Sequence, residues 1–480
     1  MNTTPGFDPR RRWLLRCGGT LAAALGTGSV ANLLLGARPA HAADYKALVC
    51  VFLYGGNDGL NTIVPTDTAR YNQYSGVRGG LAIPRASLLP LGGSSYGLHP
   101  SLSGLTTLWN AGQMAPVFNV GPLHQPLTKA QFRALPASDD AIPDNLFSHS
   151  DQQVLWETAG TDSSERTGWG GRAAATLATA NPVISLGGSG RFGLSALQSP
   201  LVLPGPGATF GVYGMQAEDL ASAPLAARKA ALDALYAESQ DLALADVYTQ
   251  MQRDAFAVSQ RLAAVVKTQP GGPGASSAID SAFAPLIAGG KLTTGFGEQL
   301  YQVAKLVEAN ATVQGNRQIF FTQLGGFDTH GNQIVAGAPT TGRHADLLKA
   351  LGDTLGCFHA AMKNIGLANA VTSFTQSDFG RTFLPNNSSG SDHAWGNQQL
   401  VLGGAVKGGA TYGSYPELAL GGADDVGVDA WELQGRWIPT TSVDQYAATL
   451  LGWFGASESQ LDAVLPNLAN FGSRRKLGFV

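Results

Sequence analysis

"RQIFFTQLGGFDTHGNQ", residues 317–333, is the stretch on which the reading of the chain turns. A short run rich in apolar and aromatic side chains stops at two glycines, and an Asp and a His follow two positions apart. A run of that length closed by glycine reads as a buried strand. Comparable runs stand at "DYKALVCVFLY", "MAPVFNV", "PVISL", "AVTSFTQ" and "QLVLGGAV". Between two of them, "GRHADLLKALGDTLGCFHAAMKNIG" places Leu347, Leu348, Leu351, Leu355, Phe358 and Met362 on one helical face. Strand, helix, strand in that order predicts a βαβ crossover and an α/β fold, with a largely parallel central sheet flanked by helices.

Three of these strands are each followed within a few residues by an Asp: "VFLYGGNDG" gives Asp58, "FFTQLGGFDTHG" gives Asp328 and "VTSFTQSDFGRT" gives Asp378. Sites in open α/β sheets gather at the carboxyl ends of the strands, and three carboxylates brought together there repel one another unless a positive charge sits among them. A divalent cation is the economical answer. His330, and His393 in "SDHAWGNQ", can supply nitrogen ligands, and a mixed Asp and His set suits zinc, manganese or iron better than an all-oxygen calcium cage. The plain alternative for any single Asp after a strand is a turn former or a helix cap. Asp392, beside His393, reads as a turn residue or a neighbour of the ligands.

"NLFSHSDQQVLWETAG", residues 145–160, carries a second set. Ser150 and Gln153 match the S-x-x-Q capping box, which starts a helix at Ser150 and leaves Ser148 and His149 just outside it. A nucleophile or a bound anion there would meet free backbone N–H groups. Ser148 is the candidate nucleophile and His149 the candidate catalytic acid, ligand or orienting group, with a helix-entry residue as the plain alternative. Arg381, in "DFGRT", either clamps a tetrahedral anion or pairs structurally with the aspartates. Asn57 is grouped with it as substrate-binding. His344 and His359 read as packing or surface residues.

The chain has 480 residues, 44% of them apolar and only 14% charged, with 62 glycines, which describes a globular protein rich in turns. Its start, "RRRWLLRCGGTLAAALGTGSVANLLLGARPAHA", reads as an export signal over residues 1–42, with Arg11, Arg12, Trp13, Leu14, Leu15 and Arg16 in the twin-arginine pattern. An ordinary secretory signal or an anchor is the alternative. Cleavage after Ala42 would remove five arginines and one aspartate and take the formal charge from −3 to −7, which argues against a nucleic-acid partner. Cys50 and Cys357 would remain, too few for a disulfide framework. No later segment is long and apolar enough to span a membrane.

Residues 43–480 are expected to form one α/β domain with a helical insertion at about 216–311. In it Leu244, Val247, Tyr248, Met251, Ala255, Val258, Leu262 and Val265 form a stripe that should pack against the body, and "TQPGGPGASS" breaks the helix. In the final helix, Ser442 is the expected N-cap and Gly455 lies near its end.

Taken together, "FLYGGNDGLNTIVP", "SHSDQ", "GGFDTHGNQ", "SDFGRTFLPNNSSGSDHAWGN" and "IPTTSVDQYAATLLGWFG", behind a twin-arginine signal, resemble a secreted bacterial family of unknown function. That family is grouped with the sulfatase-like members of the alkaline phosphatase superfamily. The resemblance implies an alkaline-phosphatase-like sheet, a periplasmic or secreted location, passage through the twin-arginine translocase, and metal-dependent hydrolysis of phosphate or sulfate esters of small molecules or polymers. It places metal ligands at Asp58, Asp328, His330, Asp378 and His393, with zinc or manganese as the ion. Phe379 stands where superfamily enzymes carry a His, and no C-x-P-x-R sulfatase signature occurs. A secreted binding or assembly protein that keeps the fold without catalysis is the alternative function.

Overall fold

The structure is a computed structural model that describes residues 44–216, 218–238 and 243–480, so the expected signal segment, residues 1–42, lies outside the described residues. The sheet is built from β1 (Lys46–Tyr54), β2 (Met114–Gly121), β3 (Ile184–Ser185), β4 (Leu201–Val202), β5 (Arg317–Gly325), β6 (Val371–Ser377), β7 (Asn397–Gly403), β8 (Tyr412–Gly413) and β9 (Thr441–Ser442). The helices that matter below are α1 (Gly59–Thr62), α2 (Thr68–Arg78), α3 (His149–Thr158), α4 (Ala223–Ala237), α5 (Ala243–Lys267), α6 (Gly295–Glu308), α7 (Arg343–Asn364) and α8 (Val443–Phe454).

Strand order is β8-β2-β7-β6-β1-β5-β3-β4, with β9 pairing β2. β1 lies between β5 and β6, parallel to both, so Cys50 faces Phe321 on one side and Phe374 on the other. β7 runs antiparallel to β6 and to β2. The sheet is therefore mostly parallel, as the apolar runs predict. The run at 182–186 contributes only a two-residue strand, and the run at 399–406 forms the antiparallel strand β7, which starts earlier, at Asn397.

Both faces of the sheet are covered. Ala47, Val49, Val51 and Leu53 of β1 join a core with Leu300 of α6 and Leu348 and Leu351 of α7. Leu48, Cys50 and Phe52 point the other way, into a core with Trp156 of α3 and Tyr446 and Leu450 of α8. A strand buried on both faces reads as a continuous apolar run because its period of two has no polar side to show. Cys50 and Cys357 are buried and free.

Between β4 and β5 the chain is helical but not purely so, since a small hairpin pairs Ile287–Ala288 with Lys291–Leu292. The stripe on α5 packs only in its second half. Leu262 is fully buried and Val258 and Val265 lie against the core, whereas Leu244 is 82% and Met251 63% exposed, with Val247 and Tyr248 also exposed. A helix of this length spans roughly 37 Å, and the body supports only its carboxyl half. There Lys305 of α6 donates to the carbonyls of Val265 (2.8 Å) and Thr268 (2.5 Å), groups that a helix end leaves without partners. No helix among the described residues is long and apolar enough to cross a membrane.

α8 begins as its sequence predicts: Ser442 Oγ accepts from the Gln445 N–H at 3.0 Å, Gln445 Oε1 accepts from the Ser442 N–H at 2.9 Å, and Gly455 closes the helix in the left-handed conformation. Asp444 in that first turn is buried, its Oδ1 accepts the Asn467 N–H at 3.0 Å, and burial outweighs such bonds and pushes its carboxyl up to about 7. A folded-state value above the unfolded one means that the native protein holds the proton more tightly. Stability from this group is full below pH ~4 and is lost as pH rises through about 7. Asp444→Asn keeps the acceptor and removes the titration. Melting temperatures measured from pH 4.5 to 8 should show the variant gaining on the wild type as pH rises; parallel curves would contradict the assignment.

Candidate functional site

β6, β1 and β5 are adjacent and parallel, so the turns after them open at one end of the sheet, and Asp378, Asp58 and Asp328 all lie there. The turns approach one another closely. Gly55 has φ +110°, and a Cβ on it would sit 2.3 Å from the Asp328 nitrogen, so only glycine lets the first turn rest on the second. Gly390 does the same for the loop before β7, where a Cβ would lie 2.4 Å from the His330 carbonyl.

Around Asp328, three imidazoles converge on one oxygen. His330 Nδ1 lies 2.7 Å, His149 Nε2 3.3 Å and His393 Nε2 3.8 Å from Oδ1. The ligand-capable atoms of His149, Asp328 and His393 are all within 4.8 Å of one another. His149 Nε2 and His393 Nε2 are buried and have no hydrogen-bond partner. In both rings the other nitrogen is engaged: His393 Nδ1 donates to the Phe147 carbonyl at 2.6 Å, and His149 Nδ1 donates to Asp378 Oδ2 at 2.7 Å. In the neutral ring that arrangement puts the lone pair on Nε2, on the side of the Asp328 carboxylate, which is the form a metal-ligating histidine takes; His149 reaches it by giving up the Nε2 proton that its carboxylate neighbours favour. The residues fit a divalent cation: imidazole nitrogen with one carboxylate suits zinc or a similar ion.

Electrostatics follow from burial and neighbours. Burial holds the His393 imidazole down at about 4, so it is neutral. The hydrogen bond to Asp378, with that carboxylate's charge and Asp328's, outweighs burial and raises His149. Burial works to raise Asp328, but the Arg381 hydrogen bond and charge, helped by His330 and His149, bring it down to about 2. Asp328 remains 48% exposed at its side chain, which makes it the open side of the cluster.

The other residues expected at the site have different partners. Asp58 is fully buried, caps α1 by accepting from the Asn61 N–H (3.2 Å), receives the Gln333 amide at 2.6 Å and pairs with the buried guanidinium of Arg78. It stands apart from the His149, Asp328, His393 group. Asp378 is also fully buried, and its oxygens face the Gly55 N–H (3.1 Å), His149 and the Gln153 amide (2.9 Å), so it holds a ligand candidate instead of acting as one. Asn57 is buried, with its amide bonded to Thr62 and His344 and its backbone N–H to Ser377, so its polar groups are engaged within the fold. Arg381 is buried with its donors spent on the carbonyls of Gly55, Gly56 (2.8 Å), Phe327 (3.2 Å) and Ser391 (3.0 Å) and on Asp328 (2.6 Å). It is the structural ion pair, and the anion clamp would require it to abandon these bonds.

The helix carrying His149 starts two residues earlier than the capping-box pattern predicts. Ser148 is the N-cap and His149 the first helical residue. The Ser148 hydroxyl donates to Asp151 at 2.6 Å, and Gln153, freed from capping, reaches Asp378. Gln153 is four residues after His149, hence on the same helix face, a spacing that marks it in the sequence once His149 is suspected. Arg78 carries no such signal, being 20 residues from Asp58 in an ordinary helix. Phe379 lies against both His149 and His393, with ring centroids 4.7 and 4.5 Å away, and so forms a wall of the cluster.

A cluster of imidazoles and a carboxylate at the carboxyl ends of a mostly parallel sheet defines an α/β protein with a candidate metal centre. The chain belongs to the family described as "Protein of unknown function (DUF1501)", whose model matches residues 45–433. No curated protein matches it in sequence.

Because Asp58 and Arg78 are the paired charges of a fully buried ion pair, removing one leaves the other's charge uncompensated. Arg78→Met should cost about 3–5 kcal/mol of stability, and Asp58→Asn added to it should recover most of the loss, since Asn also caps a helix. The double variant is expected to retain the metal content of the wild type; loss of metal in a folded double variant would show that Asp58 is a ligand.

Proposed function

We propose that this protein is an exported, metal-dependent hydrolase of phosphate or sulfate esters, on an alkaline-phosphatase-like sheet, with zinc or manganese held by His149, Asp328 and His393 and flanked by His330. The observation that carries the reading is the pair of buried, unpartnered Nε2 atoms of His149 and His393, directed with His330 at one oxygen of Asp328. When bound there, a divalent cation supplies Lewis acidity toward an ester oxygen and lowers the pKa of a coordinated hydroxyl. The chain's own residues orient the ligands: Phe147 fixes the His393 ring, Asp378 fixes His149, and Arg381 immobilises Asp328 and keeps it ionised. The open face at Asp328 and His330 is where substrate approaches. Export through the twin-arginine translocase to the periplasm or beyond fits a protein that takes up its metal in the cytoplasm and crosses the membrane folded.

One observation favours the alternative of a secreted binding or assembly protein. Arg381, the expected anion clamp, has its donors committed to the fold. Metal content and turnover separate the two readings. Protein purified without chelator should carry about one equivalent of a divalent metal, falling below roughly 0.2 in Asp328→Ala and His393→Ala. A panel of aryl phosphates, phosphodiesters and aryl sulfates should reveal turnover that drops at least ~100-fold in the same variants. Metal without turnover on any of them would favour the binding protein, and absence of metal in the wild type would refute both the centre and the hydrolase.

Ser148 is the test of the nucleophile. Its hydrogen is taken by Asp151, whose carboxyl is lowered chiefly by that bond and is a poor base. In this reading the attacking oxygen comes from water, so Ser148→Ala should retain activity to within about tenfold. A loss near 1,000-fold with metal retained would make Ser148 the nucleophile.

A further inference from the structure

Gln153 and Asp378 lie outside the His149, Asp328, His393 group, yet both are directed at His149 or at its partner. We propose that Asp378 and Gln153 are positioning residues that fix the tautomer and aim of His149 toward the cation, an inference that rests on the metal reading above.

Asp378 is fully buried, and each of its oxygens has a donor. Oδ1 accepts the Gly55 N–H at 3.1 Å, and Oδ2 accepts both His149 Nδ1 (2.7 Å) and Gln153 Nε2 (2.9 Å). A carboxylate only accepts, so His149 Nδ1 carries a proton, and in the neutral ring that a cation requires the lone pair is on Nε2. That lone pair points to Asp328 Oδ1 at 3.3 Å and has no other partner. Gln153 follows His149 by one helical turn on α3, so a single helix face delivers both the ring and the amide that holds the carboxylate. The Gly55 N–H anchors the opposite oxygen, and Gly55 is itself locked by its contact with Asp328 and by the Arg381 bond to its carbonyl. The ring is thus tied to the same turns that carry its fellow ligand.

An amide in place of Asp378 breaks this logic. Asn presents one oxygen and one NH2, and three donors face it. Turned with the oxygen to Gly55, it sets an NH2 against His149 Nδ1 and favours the tautomer whose Nε2 carries the proton, which cannot ligate. Turned the other way, it opposes the Gly55 N–H. Gln153→Ala removes one donor without changing the acceptor, and its effect should be smaller.

The test uses the full-length exported protein with Zn2+ and Co2+ as probes. Zinc affinity is measured by competition with a chromophoric chelator, and the visible ligand-field bands are recorded after Co2+ substitution. Asp378→Asn is expected to weaken zinc binding about 10–100-fold and to shift the Co2+ bands, and Gln153→Ala to weaken it several-fold with bands shifted in the same direction. A structural role alone would lower the melting temperature of both variants while leaving affinity and bands where they were, and that result overturns the proposal. If Asp378→Asn fails to fold, Gln153→Ala decides, because Gln153 is only half-buried on a helix surface; wild-type affinity and bands in that variant overturn the proposal. A wild type that binds no zinc or cobalt fails earlier, at the metal centre itself, and takes this inference with it.

Discussion

The guanidinium of Arg381 is the contact on which the arrangement of the site depends. It is buried, and it bonds to carbonyls from the turn after β1 (Gly55 and Gly56), the turn after β5 (Phe327) and the loop before β7 (Ser391), and to the carboxylate of Asp328. Taking a charge out of water costs several kcal/mol, and a planar fork with donors on all sides offsets that cost only where acceptors are already arrayed around it. Three separate turns provide them. Lys, with a single ammonium on a flexible stem, cannot address acceptors spread over a plane, so the exchange is not conservative here. The Phe379 ring, 5.5 Å from the guanidinium, adds an aromatic face on one side.

The same constraint explains how three aspartates tolerate the ends of three neighbouring strands. Each has partners of its own within the protein. Asp58 answers to Arg78, Asp378 to His149, Gln153 and the Gly55 N–H, and Asp328 to Arg381 and the cluster of imidazoles. Two of the carboxylates are wholly buried and each is matched inside the protein, while Asp328 alone keeps an open side. Repulsion among like charges is thus divided among local partners, and only the carboxylate that reaches solvent is free to take an ion from it.

Much of the fold was legible because strands buried on both faces announce themselves: β1 is a nearly continuous apolar segment closed by glycine, β5 has an apolar and aromatic centre closed by two glycines, β6 is a short run of β-branched and aromatic residues among small polar ones, and the helix between β5 and β6 shows its stripe. Asp328 and His330 were legible for the same reason, through position after β5, whereas His149 stood out at a helix start and His393 in the loop before β7. Roles were less so, because a role depends on a partner that is often distant in sequence. Nothing near Asp58 points to Arg78, and Arg381 looks identical in sequence whether its donors face a ligand or backbone carbonyls. Local patterns also compete: S-x-x-Q at Ser150 overlaps Ser148 with Asp151, and tertiary demand decided the matter, since a helix starting at His149 puts that ring and Gln153 on Asp378 together. The α5 stripe misled for a different reason. Periodicity states which residues share a face, and says nothing of how far the body extends beneath it.

The four groups of the cluster come from three segments far apart in the chain: His149 from the start of α3, Asp328 and His330 from the turn after β5, and His393 from the loop before β7. Bringing such segments together costs chain entropy, and a cation that had to meet that cost from its own binding would bind weakly. Here the parallel sheet, Arg381 and the glycine contacts meet it first. The Phe379 ring touches both His149 and His393, the Phe147 carbonyl turns one ring and Asp378 the other, and each lone pair is left facing Asp328. Side chains held in this way would lose little further freedom on binding the proposed cation, whose affinity would then be set by the donor set and its orientation.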